Sequence, residues 1–378
     1  MNTNSNIIDV TLSLASPMYI AYPDNKDKNN VCLTVKKPVI DGGRPIYVPY
    51  YPSNGLRGAL RRKAASRVAG RLCAGDARIP EHLYIGLNCG ASSGSPDETP
   101  LSIEEILRAK RNVYMGLFGG AARMLQSAYR VSDINPIIDL TVRGGVVPRW
   151  CADKVVPLAP KESGGPNTYL SAWEVTNGII HMFRVDDLYR VKRADEISRF
   201  VANPVESVAA HQDAVMHNKN ARKEGTAKKE DVANMFAIET IATGTPMHFH
   251  IMLDPDVTEA QMGLMLYSLS DLLRENSFGG HCRQDLGRVR VDSIKIMLGD
   301  ALGGEEVSGV DLGQGAEFRL PSSETITRLL AAADENIAAL TMDEMLGYFT
   351  DFSAPAKEAR KVKAAARKAA KNADEVEG

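Results

Sequence analysis

The stretch from Tyr47 to Lys63 constrains the fold more than any other, because it joins a strand-like run to the start of a helix. Tyr47 to Pro49 suits an extended segment, and prolines then interrupt the chain. Ser53 or Asn54 can cap a helix that begins near Leu56 by accepting its unpaired N–H groups. We refer to residues 47–63 as the first motif.

The helix of the first motif is predicted to be basic. Its first turns carry four cationic side chains: Arg57, Arg61, Arg62 and Lys63. The N–H groups at a helix N-terminus attract phosphate, and these side chains would add positive charge. The pattern therefore indicates nucleic-acid binding. An ordinary amphipathic helix, with Leu56, Ala59 and Leu60 facing inward, is the alternative interpretation.

Composition excludes several classes of protein. The 378 residues are 44% hydrophobic and 24% charged, which is typical of globular material. No apolar run is long enough to span a bilayer, and no signal peptide is recognised, so a cytoplasmic protein is expected. Five scattered cysteines without a Cys-x-x-Cys pair support neither a disulfide framework nor a zinc site, and no cofactor is expected. Because the net charge is −2, a nucleic-acid surface would have to concentrate its positive charge.

Periodicity predicts an α+β chain. Alternation from Ile7 to Ile20 predicts the first strand, and the first helix should run from about Asn54 to Gly70. The later predicted elements are a helix from Ser102 to Lys110, strands at Ala128 to Val131, Ile137 to Val147 and Ile238 to Leu253, a helix from Thr258 to Leu273, and a strand from Arg288 to Met297. This order is that of a ferredoxin-like or RRM-like antiparallel sheet, the architecture of RNA-recognition domains.

Long insertions are expected between these elements. The predicted organisation is a palm over residues 1–300 with a loop at about 17–47 and insertions at 76–111 and 140–236, then a linker with a small C-terminal helical extension over 301–352, and a basic flexible tail over 353–378. The insertion at 140–236 includes a basic arm, 209–231. Its cations Lys219, Arg222 and Lys223 either order on RNA or belong to a solvated loop.

Two further motifs contain glycine. The second motif, Leu117-Phe118-Gly119, permits a close approach to a ligand or to another chain, and the alternative is a packed turn with Phe118 in the core. The third motif, Phe278 to Arg290, joins Gly279 and Gly280 to polar and cationic side chains: His281, Arg283, Gln284 and Arg288. Backbone N–H groups of such a loop can hold a phosphate. A glycine turn that leads into a strand is the alternative.

Two histidines, His248 and His250, are predicted on one face of a strand whose other face carries Met247, Phe249 and Ile251. Imidazole pairs of this kind can bind a metal. The sequence offers no third ligand at a convincing spacing, so no metal site is predicted.

The three motifs, in this order, resemble the signature of the RAMP superfamily of CRISPR-associated proteins. The run from Pro52 to Gly58 is similar to the Pro-Gly-Ser-Ser-Leu-Arg-Gly element of subunits that bind guide RNA. The resemblance implies a palm with inserted thumb and finger segments. It also implies RNA contacts at Ser53, Asn54, Arg57, Arg61, Arg62, Phe118, Gly119, Lys219, Arg222, Lys223, Gly279, Gly280, His281, Arg283, Gln284 and Arg288.

The resemblance also bears on catalysis. RNA-cleaving members of the family have an aspartate in a run like Asp-Asn-Pro-Val-Ile, and the corresponding run here starts with Lys36. A lysine cannot bind a divalent metal as a carboxylate does. The departure implies no catalytic residue and no nuclease activity. A metal-dependent ribonuclease that cleaves target RNA with Asp24, Asp27 or Asp41 is the alternative.

The implied function is a repeating backbone subunit of a CRISPR effector complex. Lys36 and the long insertions are more similar to type IV than to RNA-cleaving type III systems. Its implied partners are guide RNA (crRNA), a complementary target nucleic acid, further copies of itself stacked head to tail, and other effector-complex subunits, with no membrane. A free-standing RNA-recognition protein is a further alternative. It would be favoured by stacking aromatics on the central strands, which the sequence does not locate.

Overall fold

A computed structural model describes most of the chain. The described residues are 5–26, 31–75, 77–90, 102–120, 125–157, 169–176, 178–185, 193–196, 198–199, 202–210, 212–213 and 233–349. The predicted basic arm, with Lys219, Arg222 and Lys223, lies largely outside them, and the predicted tail at 353–378 lies wholly outside them.

The described residues form both strands and helices, several of them in consecutive runs of one kind. The strands are β1 (Asn6–Leu14), β2 (Ala21–Lys26), β3 (Val31–Thr34), β4 (Lys36–Asp41), β5 (Arg44–Pro49), β6 (Tyr129–Val131), β7 (Asn135–Pro136), β8 (Gly178–Val185), β9 (Ala233–Thr240), β10 (Pro246–Leu253), β11 (Val289–Met297) and β12 (Glu306–Gly313). The α-helices are α1 (Ser53–Leu72), α2 (Glu81–Cys89), α3 (Ile103–Arg111), α4 (Met115–Phe118), α5 (Asp139–Arg143), α6 (Ala172–Thr176), α7 (Glu259–Glu275), α8 (Glu324–Ala339) and α9 (Met342–Tyr348). Short 3₁₀ helices form at Arg149–Lys154, Ala194–Glu196, Cys282–Gln284, Asp300–Leu302 and Gly315–Glu317.

The largest sheet is antiparallel and has the strand order β12-β11-β1-β10-β6, with β7 also paired to β10. Strand β1 is central, and its register sets Asp9 opposite His250 and Thr11 opposite His248 on β10. The predicted α+β class with an antiparallel sheet is confirmed.

One face of this sheet is covered by helices. On β1, the side chains of Ile8, Val10 and Leu12 are fully buried and join the inward residues of α1 and α7 in one core. The predicted alternation on β10 holds, because Met247 and Phe249 enter the same core. The Met and Leu stripe of α7 is also buried there, and helices α8 and α9 extend the core at their own apolar residues.

Two smaller sheets complete the strand structure. One has the order β2-β3-β9-β8, and the other is the hairpin of β4 and β5. The hairpin joins the run that starts at Lys36 to the first motif, and its register sets Lys36 opposite Pro49. Among the residues that the structure describes, no helix has the length and apolar character to cross a membrane.

Several predicted elements are confirmed by the structure. Helix α1 and strand β11 occupy the predicted segments, and strand β1 forms where predicted but ends at Leu14 instead of Ile20. Helices α3 and α7 begin after Ser102 and Thr258, and each of these residues forms a reciprocal capping box with the third residue of its helix. Local cap and periodicity signals were sufficient at these positions.

Other predicted elements are wrong. The predicted strand from Ile137 to Val147 contains helix α5 instead, because its apolar residues pack with Cys151 in a small second cluster. The predicted strand from Ile238 to Leu253 is divided into β9 and β10. The start of the predicted linker forms β12, which extends the main sheet by pairing with β11. That strand was missed because it contains glycine and buries few of its side chains.

Candidate nucleic-acid interface

The start of α1 differs from the prediction. The helix begins at Ser53, with Pro52 as its N-cap, and neither Ser53 nor Asn54 supplies a side-chain cap. Instead, the backbone N–H of Ser53 donates to Oδ1 of Asp133 at 2.8 Å. The other carboxylate oxygen of Asp133 accepts from Nζ of Lys37 at 2.7 Å. A protein carboxylate therefore binds at the N-terminus where a phosphate was predicted.

The interactions of Asp133 favour its charged form. Burial alone would raise its pKa, but the hydrogen bonds from Lys37 and Ser53 outweigh burial and lower the pKa below its usual value. The carboxylate thus stays ionised at neutral pH. It neutralises Lys37 and the positive end of the α1 dipole together.

Two arginines of α1 are engaged within the protein. Arg61 donates from Nη1 to the carbonyl oxygen of Gly119 at 3.1 Å and from Nη2 to that of Phe118, and its guanidinium lies over the Phe118 ring. Arg57 donates to Oγ of Ser127 at 3.1 Å and lies over the ring of Tyr129. Both arginines therefore position the second motif and the segment that follows it. The sequence did not anticipate this internal role.

The second motif is part of the core. Phe118 is 1% exposed and packs against Tyr114 and Tyr129 at ring-centroid distances of 5.3 and 5.4 Å. Gly119 is also buried, has φ +61°, and a β-carbon there would lie 2.3 Å from the carbonyl oxygen of Leu125. Neither residue offers a side chain to RNA in this conformation, while an RNA contact at Phe118 or Gly119 stays a prediction. The packed-turn interpretation is confirmed.

Two residues of the first motif remain on the surface. Asn54 and Arg62 are exposed. Within the described part of the chain, no side chain or carbonyl accepts a hydrogen bond from the Arg62 guanidinium. Its charge and Cys282 both act on the hydroxyl of Tyr51, whose pKa is raised chiefly by burial.

The third motif is a tightly folded loop. Gly287 has φ +77°, and a β-carbon there would lie 1.8 Å from the carbonyl oxygen of Phe278, so only glycine fits. His281 and Asp285 both adopt left-handed backbone angles on either side of the 3₁₀ turn Cys282–Gln284. Such angles are uncommon for residues other than glycine. The conformation of this loop therefore depends on left-handed backbone angles at His281 and Asp285 as well as at its glycines.

The third motif packs against the first motif and against the residues that follow β1. The Phe278 ring meets that of Tyr51 edge to face at 5.8 Å. The N–H of Gly280 donates to the carbonyl oxygen of Tyr19 at 2.8 Å, and the His281 ring lies 5.5 Å from that of Tyr19. The first and third motifs, more than two hundred residues apart in the sequence, are thus neighbours.

The polar side chains of the third motif differ in whether they have a partner among the described residues. Arg283 and Gln284 are exposed, and the described residues include no side-chain hydrogen-bond partner for either. Arg288 is exposed as well, but its Nε lies 2.7 Å from the carboxylate of Asp285. Asn54 and Arg62 of the first motif are exposed as well, so both of these neighbouring motifs carry exposed polar or cationic side chains. We call Asn54, Arg62, Arg283, Gln284 and Arg288 the junction surface.

Lys36, which the motif resemblance aligns with the aspartate of RNA-cleaving proteins, is paired with a carboxylate. Nζ of Lys36 lies 2.6 Å from Oε1 of Glu239, and both side chains are mostly buried. Of the alternative carboxylates, Asp41 accepts hydrogen bonds on both oxygens from the Arg143 guanidinium. Asp27 lies outside the described residues, and the side chain of Asp24 is likewise not described.

The two histidines of β10 have a neighbour that the sequence could not reveal. Asp9 on β1 lies beside them, and the donor atoms of Asp9, His248 and His250 all lie within 4.8 Å of one another. The sequence separation of 239 residues between Asp9 and His248 hides this proximity, because strand pairing alone creates it.

No protein-family model and no curated protein sequence matches the chain. Among solved structures, the chain is similar to one from a type IV-B CRISPR complex, with 18% identity, a TM-score of 0.41, and coverage of 85% of this chain and 96% of that chain. It is also similar to a chain of the type III-B Cmr-beta complex bound to cognate target RNA, with 11% identity, a TM-score of 0.33, and coverage of 77% of this chain and 60% of that chain. It thus spans less than two thirds of the second structure's chain. Both of these chains come from CRISPR complexes.

Proposed function

We propose that this protein is a guide-RNA-binding backbone subunit of a CRISPR effector complex, of the type IV kind, without nuclease activity of its own. In this proposal, copies stack head to tail along the guide RNA and present it for pairing with a target. Each copy holds the RNA by its phosphates, and base identity is left to pairing. The guide RNA, the target nucleic acid, further copies of the chain and other effector subunits are the partners.

The observation that carries the proposal is the junction surface. Two motifs that resemble the guide-RNA signature meet through Tyr51 and Phe278, and each of them carries an exposed arginine, Arg62 in the first motif and Arg283 in the third. A phosphate backbone is held by such cations and by exposed polar groups. The net charge of −2 makes a local concentration of arginines more informative, because the chain as a whole is not basic.

The connection of the main sheet also supports a ferredoxin-like palm. Strand β1, helix α1, strands β6 and β10, helix α7 and strand β11 follow one another, and the strands lie in the order β11-β1-β10-β6. This is the order of a split βαβ sheet in which all neighbours are antiparallel. The segments between these elements then correspond to inserted thumb and finger segments.

The proposal of no nuclease activity rests on Lys36 and Asp41. A divalent metal needs carboxylate oxygens that are free to bind it. Lys36, which forms a salt bridge with Glu239, is a cation at the position where cleaving relatives have aspartate. The carboxylate of Asp41 is already bound by the guanidinium of Arg143. The ribonuclease interpretation therefore has less support.

A free-standing RNA-recognition protein also has less support. Such domains stack bases on aromatic residues of the sheet face that is opposite the helices. On the central strands β1 and β10, that face carries Asp9, Thr11, His248 and His250 instead. The ring of Trp150 lies against His248 and covers part of it.

The first experiment is to purify the full chain from cells without nuclease treatment and to measure the particle size and the lengths of the co-purifying RNA. Large particles with RNA protected in regular length steps are expected. A monomer or a closed dimer free of nucleic acid would contradict the proposal.

The second experiment locates the RNA contact. Arg62→Glu and Arg283→Glu should weaken binding to single-stranded RNA, and replacement by alanine should reduce the salt slope by about 0.7 for each phosphate contact that is lost. Arg111→Glu is the matched control, because Arg111 is an exposed arginine outside the three motifs. Equal losses in all three variants would refute a specific role for the junction surface.

A further inference from the structure

Three potential metal ligands lie on the face of the main sheet that the helices do not cover. Asp9 is on β1, and His248 and His250 are on the neighbouring strand β10. The register sets Asp9 directly opposite His250 and two residue pairs away from His248, which lies opposite Thr11 on the same face. Directly opposed residues of paired strands project to the same side, so all three side chains share one face. Two central strands of a packed sheet hold them rigidly.

The donor atoms already converge. Nε2 of His248 lies 2.9 Å from Oδ1 of Asp9, and the donor atoms of all three residues lie within 4.8 Å of one another. A zinc ion that binds an imidazole nitrogen and a carboxylate oxygen at about 2.0–2.2 Å separates these two atoms by roughly 3.0–3.5 Å in tetrahedral geometry. A metal ion can therefore replace the proton of the hydrogen bond between His248 and Asp9 with only small movements of these two side chains.

The surroundings enclose these ligands. Asp9 and His248 are buried, and the ring of Trp150 meets that of His248 edge to face at 5.6 Å. Cys151, which belongs to the same 3₁₀ helix as Trp150, is fully buried. The 3₁₀ helix Arg149–Lys154 thus covers the ligands on one side. His250, which is only half-buried, leaves the other side open.

An independent observation comes from Asn135. Strand β7 pairs it with His248, so its side chain lies on the same face of the sheet. Asn135 is 3% exposed, and its Oδ1 accepts no hydrogen bond from the described residues. A buried amide oxygen without a donor is costly. The face that holds the three ligands therefore also contains a buried acceptor that the described residues leave without a donor.

We propose that Asp9, His248 and His250 form a binding site for a divalent transition-metal ion of the zinc class. Two imidazoles and one carboxylate are a ligand set that suits Zn²⁺, whereas Mg²⁺ prefers oxygen ligands. Three protein ligands leave a fourth position for water on the side of His250. This site does not depend on the proposed RNA-binding function, and it can be present or absent whether or not the chain binds guide RNA.

The test is a titration of the chelator-stripped full chain with Zn²⁺ and, separately, with Co²⁺. One Zn²⁺ per chain is expected. Asp9→Asn and His250→Gln should each weaken Zn²⁺ binding at least about tenfold, because each removes a ligand. His250→Gln is the critical variant, since the hydrogen bond between Asp9 and His248 does not need His250 and the fold should persist.

The matched control is His181→Gln, because His181 is an exposed histidine on β8. Its Zn²⁺ affinity should equal that of the wild type. Co²⁺ distinguishes the proposed site from adventitious binding to the cysteines: the proposed ligands give visible ligand-field bands without a thiolate charge-transfer band. Absence of Zn²⁺ binding, or binding that is unchanged in Asp9→Asn and His250→Gln, would overturn the proposal.

Discussion

Arg61 and Arg62 are adjacent on α1, yet the structure assigns them different neighbours, and this contrast makes the sharpest prediction. The Arg61 guanidinium donates to the carbonyl oxygens of Phe118 and Gly119. Arg62 is exposed at the junction surface. We expect Arg61→Ala to lower the stability of the fold, and Arg62→Ala to lower the affinity for RNA without affecting stability.

The magnitude for Arg61 follows from the groups that it leaves behind. Two carbonyl oxygens next to the buried Phe118 ring would lose their donor, and each unsatisfied buried acceptor costs about 1–3 kcal/mol. Because Arg61 is partly exposed, water can reach one of them, and we expect the free energy of unfolding to fall by about 2–4 kcal/mol in total. For Arg62→Ala the change in stability should stay within about 0.5 kcal/mol, as for other surface substitutions.

The assay pairs urea denaturation with RNA binding measured at several salt concentrations. Arg62→Ala should reduce the slope of log affinity against log salt by about 0.7, which corresponds to one lost contact with a single strand. The reasoning would be refuted if Arg61→Ala kept its full stability, or if Arg62→Ala unfolded at a lower urea concentration while its salt slope stayed unchanged.

Three other substitutions test individual contacts. Phe118→Ala should lower the free energy of unfolding by about 3–5 kcal/mol in urea denaturation, because it removes a fully buried ring, and unchanged stability would contradict the core position. Lys36→Glu should cost about 1–3 kcal/mol by leaving Glu239 beside a like charge, and the added change Glu239→Lys should recover part of that loss in a double-mutant cycle. Asp133→Asn should destabilise the fold at neutral pH. Because the pKa of Asp133 is lowered by folding, its contribution is present above about pH 4 and is lost as the pH falls through the lower folded value, so the difference between wild type and variant should shrink in acid denaturation.

The fold was predictable from the sequence where local signals decide it. Ser102 and Thr258 each stand three residues before a Glu or Gln, which is the spacing of a capping box. Helices α3 and α7 begin directly after them, where that pattern predicts. Strand β1 alternates in sequence, and its apolar residues Ile8, Val10 and Leu12 are fully buried, although Asp9 and Thr11 on its other face are buried as well. The prediction failed between Ile137 and Val147, where β-branched residues favour a strand but packing against Cys151 produces a helix.

The candidate site was less predictable, because its partners are distant in the sequence. The sequence around Ser53 does not predict that Asp133 binds the N-terminus of α1. The sequence around His248 does not predict its hydrogen bond with Asp9. The sequence also does not predict which arginine of α1 is exposed, because Arg61 and Arg62 have the same chemistry and differ only in the direction in which their side chains leave the helix. Tyr51 was not singled out as a site residue, although its aromatic contact with Phe278 joins two of the motifs.

The motif residues fall into two groups, those that the fold requires and those that it leaves exposed, and a motif resemblance predicts different things for each group. Within the motifs, Arg61, Phe118 and Gly287 meet requirements of the fold: hydrogen bonds to carbonyls, a filled core, and a backbone conformation that only glycine tolerates. Such residues make a signature recognisable because the same backbone geometry needs them. Contacts with RNA then depend on neighbours that the geometry exposes, as Arg62 and Arg283 are exposed here. A variant at a fold-determining motif residue would therefore lose RNA binding only by losing the fold, whereas a variant at the exposed neighbours would separate the two.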